Sequence, residues 1–346
     1  MNKGDNALPD RDERVDIVKT IAIICVISIH VSSYGWDIFP IGSFSWIVNM
    51  FWGSLTRAAV PLFLMCSGAL FIDPDRELPI KRLYTRYLPR VIVAMFIWSM
   101  AYKVDYLYHY QNITMASLWY EFKRVLVFNQ EFHLYYIHII ILVYVFLPIV
   151  RVFVFNADKK QLRYALVIWG ALGILYPTLI NFKPISLIAG FPRQWMLNMS
   201  YAAIGYLVLG YYLKNISTWV RNKFALILIS GFLIVFCGTW YSCAHYGYFV
   251  DIFLGGMSVG VALMAMGIYG VCPKKGSRIS AWVSKASFCI YLSHVFFLHA
   301  FVSAGFSVDF ITPIISVPII TIAIFACSSV VYVILSKIPV VNRWII

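Results

Sequence analysis

Apolar residues in this chain come in long blocks, separated by short polar and basic stretches. The blocks fall near residues 15–34, 45–71, 88–108, 134–154, 164–181, 196–213, 224–243, 250–271, 286–305 and 311–335. Each is about 20 residues, enough for a helix to cross a hydrocarbon core of about 30 Å. In lipid the backbone must satisfy its own hydrogen bonds, so such blocks predict helices. The pattern is that of an all-α polytopic membrane protein with about ten transmembrane helices. It divides into a polar tail at 1–14, a single transmembrane domain over 15–335 and a short tail at 336–346. No small-residue cleavage site follows the first block, which reads as a retained helix and not a signal peptide. The loop 109–133 is the long one. Its stretch from Leu118 to Phe128 fits either an amphipathic surface helix or a plain ordered loop. No internal repeat is visible, which weakens a transporter reading.

Composition agrees. The chain is 61% hydrophobic and 12% charged, with a mean hydropathy of +0.79; soluble domains carry roughly 25% charged residues. A net charge of +13 would suit a nucleic-acid partner, but the location of the cations argues against one. With the N-terminus in the cytoplasm, 22 of the 28 Lys and Arg fall in inside segments. The outer half keeps Lys103, Lys123, Arg124, Lys183 and Arg193, and Arg57 is mid-span. This bias places both termini inside and calls for an even number of spans. It suits a bacterial plasma (inner) membrane, with membrane lipids as surroundings. The seven cysteines lie in or beside apolar blocks without C-x-x-C spacing, so they read as buried free thiols and suggest no metal site.

A few ionisable residues interrupt the apolar blocks, and such groups usually face a protein interior or a water-filled cavity. His30 lies in the first block, eleven residues after Lys19. That spacing puts both on one helix face, about 16 Å apart along the axis. Imidazole exchanges protons near neutral pH and suits general-base work. Arg57 lies about eleven residues into the second block, just before Pro61 and the Ser67-Gly68 pair, which signal a kink or a close helix approach. His138 and His294 fall in the fourth and ninth blocks, and His133 opens the fourth. In the basic stretch 81–90, Arg82, Arg86 and Arg90 are four apart and would line one helix face. They suit either a phosphorylated ligand or anionic lipid headgroups.

In order and spacing these residues resemble acyltransferase family 3, the integral membrane O-acyltransferases, over essentially the whole chain. The first-helix pattern is Asp16, Lys19 and His30. Arg57 with Val60-Pro61-Leu62-Phe63 and Ser67-Gly68 matches the second helix, and the basic stretch follows. Further pieces are His133-Leu134-Tyr135-Tyr136, the run from Tyr201 to Tyr212 and Ile290-Tyr291-Leu292-Ser293-His294. Two positions depart from the pattern: Lys19 stands where Arg is usual, and Tyr135 where Trp is usual. Lysine keeps the charge but loses the planar two-point contact. Some relatives add a hydrolase-like domain, for which this chain has no room. It is similar to the single-domain enzymes that O-acetylate surface glycans.

The resemblance implies acetyl-CoA as acyl donor, arriving from the cytoplasm, and a hydroxyl of a cell-surface or lipid-linked polysaccharide as acceptor, with no metal. It implies His30 as general base or acyl relay, and Arg57 polarising the thioester carbonyl or orienting the acceptor. Lys19, Arg14, Arg82 and Arg86 would bind CoA phosphates. Asp16, Ser67, His133 and His294 would support them. The competing readings are a polysaccharide exporter or flippase without acyl-transfer chemistry, and a structural subunit of an envelope-synthesis complex.

Overall fold

The computed structural model describes residues 13–74, 76–182, 195–216 and 220–346. Most of the expected polar tail, with Lys3 and Arg11, and the loop cations Lys183 and Arg193 lie outside the described residues. The helices are α1 (Arg14–Ser33), α2 (Gly35–Ile38), α3 (Phe44–Leu55), α4 (Ala59–Phe71), α5 (Ile80–Arg82), α6 (Leu88–Tyr110), α7 (Met115–Leu126), α8 (Tyr135–Asn156), α9 (Lys159–Trp169), α10 (Tyr176–Leu179), α11 (Met199–Lys214), α12 (Arg221–Tyr246), α13 (Val259–Val271), α14 (Arg278–Ser303), α15 (Pro313–Leu335) and α16 (Pro339–Trp344). The described residues contain no strand. The chain is an all-α polytopic membrane protein. Among the described residues, helices joined across short breaks form eight segments long and apolar enough to cross a membrane.

The two remaining blocks give shorter helices, α11 with 16 residues and α13 with 13. The block at 250–271 is helical only from Val259. Before it, Gly255 and Gly256 favour turns, and Ser258 caps α13 by accepting from the Val261 N–H. The result is an irregular stretch over 247–258 packed among helices.

The second block is also not one helix. It breaks at 56–58, between α3 and α4. Pro61 explains the position. It has no N–H to give the carbonyl of Arg57, and its ring would collide with that carbonyl in a continuous helix. Prolines leave a similar mark twice more: π-helical turns at 83–87 and 170–175 precede Pro89 and Pro177. Widening the turn accommodates a missing donor without ending the helix.

α1 is the hub, packed against α3, α4, α14 and α15. α4 crosses α11 closely because both carry glycine at the contact. A Cβ at Gly68 would lie 2.0 Å from the Leu207 carbonyl oxygen, and one at Gly210 would lie 2.1 Å from that of Met65. The loop 109–133 holds a helix, α7, started by a capping box between Thr114 and Ser117. Trp119 and Tyr120 are exposed on it, while Glu121 is buried and paired with Arg124 at 2.9 Å. The expected tail at 336–346 is ordered: α16 folds back on α6, where Trp98 Nε1–H donates to the Ile345 carbonyl at 3.1 Å and Arg90 donates to that of Ile346.

Gly210→Val should lower stability by about 1–3 kcal/mol, the usual cost of overpacking. Thermal unfolding in detergent would register it, and an unchanged midpoint would contradict the tight α4–α11 crossing.

Candidate active site

Three histidines far apart in sequence meet near the end of the bundle opposite the basic loops. α1 and α14 start at the basic end, run side by side and carry His30 and His294, with ring centroids 5.1 Å apart. His133, in the short turn Phe132–Leu134 before α8, lies 6.2 Å from His30 and 5.8 Å from His294. The backbone around the cluster is pinned by tyrosines. Tyr291 Oη donates to the His133 carbonyl at 2.5 Å, and Tyr102 Oη to the Leu292 carbonyl at 2.8 Å.

The hydrogen bonds assign one tautomer. His294 Nδ1 lies 2.6 Å from the Tyr291 carbonyl oxygen, which can only accept. Nδ1 therefore carries a proton, and in the neutral ring Nε2 keeps the lone pair. Among the described residues, His294 Nε2 and both ring nitrogens of His133 are buried without a hydrogen-bond partner. Buried polar atoms of this kind are costly unless a polar group reaches them. Phe132, 70% exposed, sits 5.5 Å from the partly exposed His30 ring, so the cluster meets the surface at that end.

Arg57 occupies the break between α3 and α4. It interacts electrostatically with His30, Tyr135 and Asp251, and its Nε is buried without a hydrogen-bond partner. Asp251 belongs to the irregular stretch 247–258. Non-helical backbone at membrane depth has to be satisfied by its neighbours. Here Tyr206 Oη donates to the Gly256 carbonyl at 2.7 Å, Ser258 Oγ donates to that of Phe253 at 2.7 Å, and the Val259 N–H reaches Thr178 Oγ1 at 3.2 Å.

Two neighbouring spaces lie between the basic end and the histidines. A cleft of about 1180 Å³ is lined by Lys81, Arg82, Arg86, Arg90 and Arg343. A smaller cavity of about 270 Å³ lies beside it, lined by residues including Lys19, Lys285 and Ser67. Arg90 and Tyr87 line both. The inner end is an aromatic layer of Phe63, Tyr136 and Tyr291, with centroids 5.9 and 5.5 Å apart in succession. Tyr291 is one helical turn before His294. A cationic mouth, a narrow bore and a base cluster behind it suit a long anionic ligand that delivers a reactive end.

The acyltransferase domain family model matches residues 12–333, nearly the whole chain. The chain belongs to acyltransferase family 3. Comparison with curated proteins and with solved structures gave no match.

Within this acyltransferase the predicted site residues separate into groups. His30, His133, His294 and Arg57 converge. Lys19 and Ser67 line the inner cavity, where Ser67 Oγ donates to the Phe63 carbonyl at 2.9 Å. Arg82 and Arg86 line the cleft. Arg14 lines neither space: it is buried, with its guanidinium 5.6 Å from the Tyr269 ring centroid. Asp16 is buried in the first turn of α1, where a negative charge favours the helix dipole. His138 is apart from the cluster and bonds Gln130 at 2.8 Å. Among the described residues no group of three His, Cys, Asp or Glu side chains is arranged to hold a metal ion.

Three residues carried no functional reading in the sequence: Lys285 and Arg343, which line the two spaces, and Asp251 near Arg57. Lys285 had a signal. It precedes His294 by nine residues, much as Lys19 precedes His30 by eleven, and both helices run the same way. Asp251 had none, because it is near Arg57 only through the fold.

Tyr291→Phe should cost about 1 kcal/mol of stability, the net worth of one hydrogen bond, and should lower acyl transfer by loosening His133 against α14. Parallel unfolding and turnover measurements test this; full turnover in a destabilised variant would separate the bond from the chemistry.

Proposed function

We propose that this acyltransferase moves an acetyl group from acetyl-CoA to a hydroxyl of a cell-surface or lipid-linked polysaccharide, with the basic end of the bundle in the cytoplasm. The observation that carries this reading is a five-cation cleft that shares Tyr87 and Arg90 with a narrower cavity, whose lining residue Tyr291 is one turn from His294 in the His30–His294 pair. CoA combines several phosphate charges with a long thin arm ending in the thioester. The phosphates would bind at Arg82 and Arg86, with Lys19 and Lys285 along the way. The thioester would pass the Tyr136–Tyr291 layer to reach the histidines. The glycan would approach at Phe132, where the cluster meets the opposite surface.

In the chemical step the acceptor hydroxyl gives its proton to an imidazole as its oxygen attacks the thioester carbonyl. A new C–O bond forms, the C–S bond breaks, and the sulfur leaves and takes up a proton as the CoA thiol. His30 is the base in direct reach of the acceptor side. His294 is the supporting ring, because its Nδ1–H is committed to Tyr291 and its Nε2 is available to exchange a proton with the cluster. Arg57 would donate to the oxyanion that develops on the carbonyl, a contribution typically worth about 10²–10³ in rate. A two-residue relay in which the acetyl group rests on His30 before transfer uses the same atoms.

Acetyl-CoA turnover by purified protein in nanodiscs, with lipid-linked glycan supplied, tests the proposal. Wild type should release free CoA. His30→Ala should lose about 10²–10⁴ in rate, the usual share of a general base, while keeping its unfolding midpoint. Arg57→Ala should lose about 10²-fold or more. Full turnover by His30→Ala would overturn the assignment of the base. No turnover by wild type without an ion gradient would favour export.

A further inference from the structure

The cleft at the basic end has a wall to which the donor-binding reading assigned no separate role and which the sequence pattern did not mark. That wall is α16. A helix of six residues has no stability of its own, so its place is set by what holds it. Trp98, well inside α6, donates to the Ile345 carbonyl at 3.1 Å. Arg90, at the neck between cleft and cavity, donates to the Ile346 carbonyl. The Ile346 side chain is 2% exposed and joins the core. With that end anchored, Asn342, Arg343 and Trp344 line the cleft together with Arg82 and Arg86 of the 80–87 segment. The Arg343 guanidinium lies 5.2 Å from the Trp344 ring centroid, a cation–π contact that orients both side chains.

Crowding five cations around one cleft is self-repulsive and is offset by an anion carrying several charges. A phospholipid headgroup and a nucleotide both offer phosphates. The indole and the neighbouring inner cavity, which shares Tyr87 and Arg90 with the cleft, favour the nucleotide. Aromatic side chains take bases by stacking, and a headgroup has neither a base to stack nor an arm to thread inward.

Resting on the acetyl-CoA reading, we propose that α16 is the nucleotide-recognition wall of the donor site. Arg343 engages a phosphate of the adenosine end and Trp344 provides the stacking surface for the base. Arg90 is then a positioning residue: it ties α16 to the neck of the inner cavity, so the nucleotide wall and the thioester route keep a fixed spacing.

The test is binding of CoA, 3′-dephospho-CoA and 4′-phosphopantetheine to the full chain in nanodiscs of zwitterionic lipid, alongside steady-state acetyl-CoA turnover. Arg343→Ala should weaken CoA binding about tenfold, as expected for one charge-assisted contact, and raise KM with little change in kcat. Phosphopantetheine, which lacks the nucleotide, should bind wild type and Arg343→Ala alike. Trp344→Ala should behave similarly and Trp344→Phe should recover most of the loss, which also controls for folding. Equal CoA affinity in wild type, Arg343→Ala and Trp344→Ala would overturn this assignment and leave the donor reading standing. Absence of CoA binding by well-folded wild type would overturn both. Repeating the measurement with phosphatidylglycerol nanodiscs separates the sources of phosphate: if Arg343→Ala alters only retention of the anionic lipid, the wall is a headgroup site and the proposal fails.

Discussion

A proline cannot donate a backbone hydrogen bond, and lipid offers no water to replace it. Much of this structure follows from how that conflict is met at Pro61. The helix stops at 56–58, and the freed backbone lies inside the protein, facing the irregular 247–258 stretch. That stretch has the same requirement and meets it with Tyr206, Ser258 and Thr178. Two pieces of non-helical backbone at membrane depth are thus gathered in one place, and Arg57 enters the bundle interior through the break. Closing the break would restore a plain span and turn Arg57 toward a position set by helix periodicity alone.

The second organising feature is the pairing of α1 with α14. Both helices start at the basic end, each begins with cations, and each presents a histidine nine to eleven residues after a lysine. Because they are neighbours and parallel, the lysines meet at the inner cavity and the imidazoles meet 5.1 Å apart above it. Two helices therefore define both ends of the route. The remaining elements contribute singly: His133 from the start of α8, Arg57 from the broken helix, and the arginines from the 80–90 region.

Hydropathy made the helical membrane fold legible, because length and apolarity alone determine whether a segment can span. It did not show where helices break. The expected spans at 45–71 and 250–271 are interrupted by Pro61 and by the Gly255-Gly256-Ser258 turn, local chemistry that an apolar average hides. The Lys19–His30 spacing was legible because it is an intrahelical distance. The meeting of His30 with His133 and His294, and of Arg57 with Asp251, depends on which helices become neighbours, which periodicity does not encode. Arg14, which the resemblance assigned to the donor phosphates, is buried with its guanidinium 5.6 Å from the Tyr269 ring centroid, a placement set by the packing of α1 and not by its charge. The segment at 336–346 looked like a tail because it is short, and it folds because Trp98 and Arg90 supply the anchors that its own length cannot.

The aromatic layer of Phe63, Tyr136 and Tyr291 has a consequence of a different kind. The inner cavity approaches it from the basic end, and the histidine cluster reaches the surface on the other side. The layer stands between the two. Of its polar atoms, the Tyr291 hydroxyl is committed to the His133 carbonyl. The rings that bound the inner cavity therefore also decide what can pass from it to the histidines: a ligand reaching them has to part or thread Phe63, Tyr136 and Tyr291.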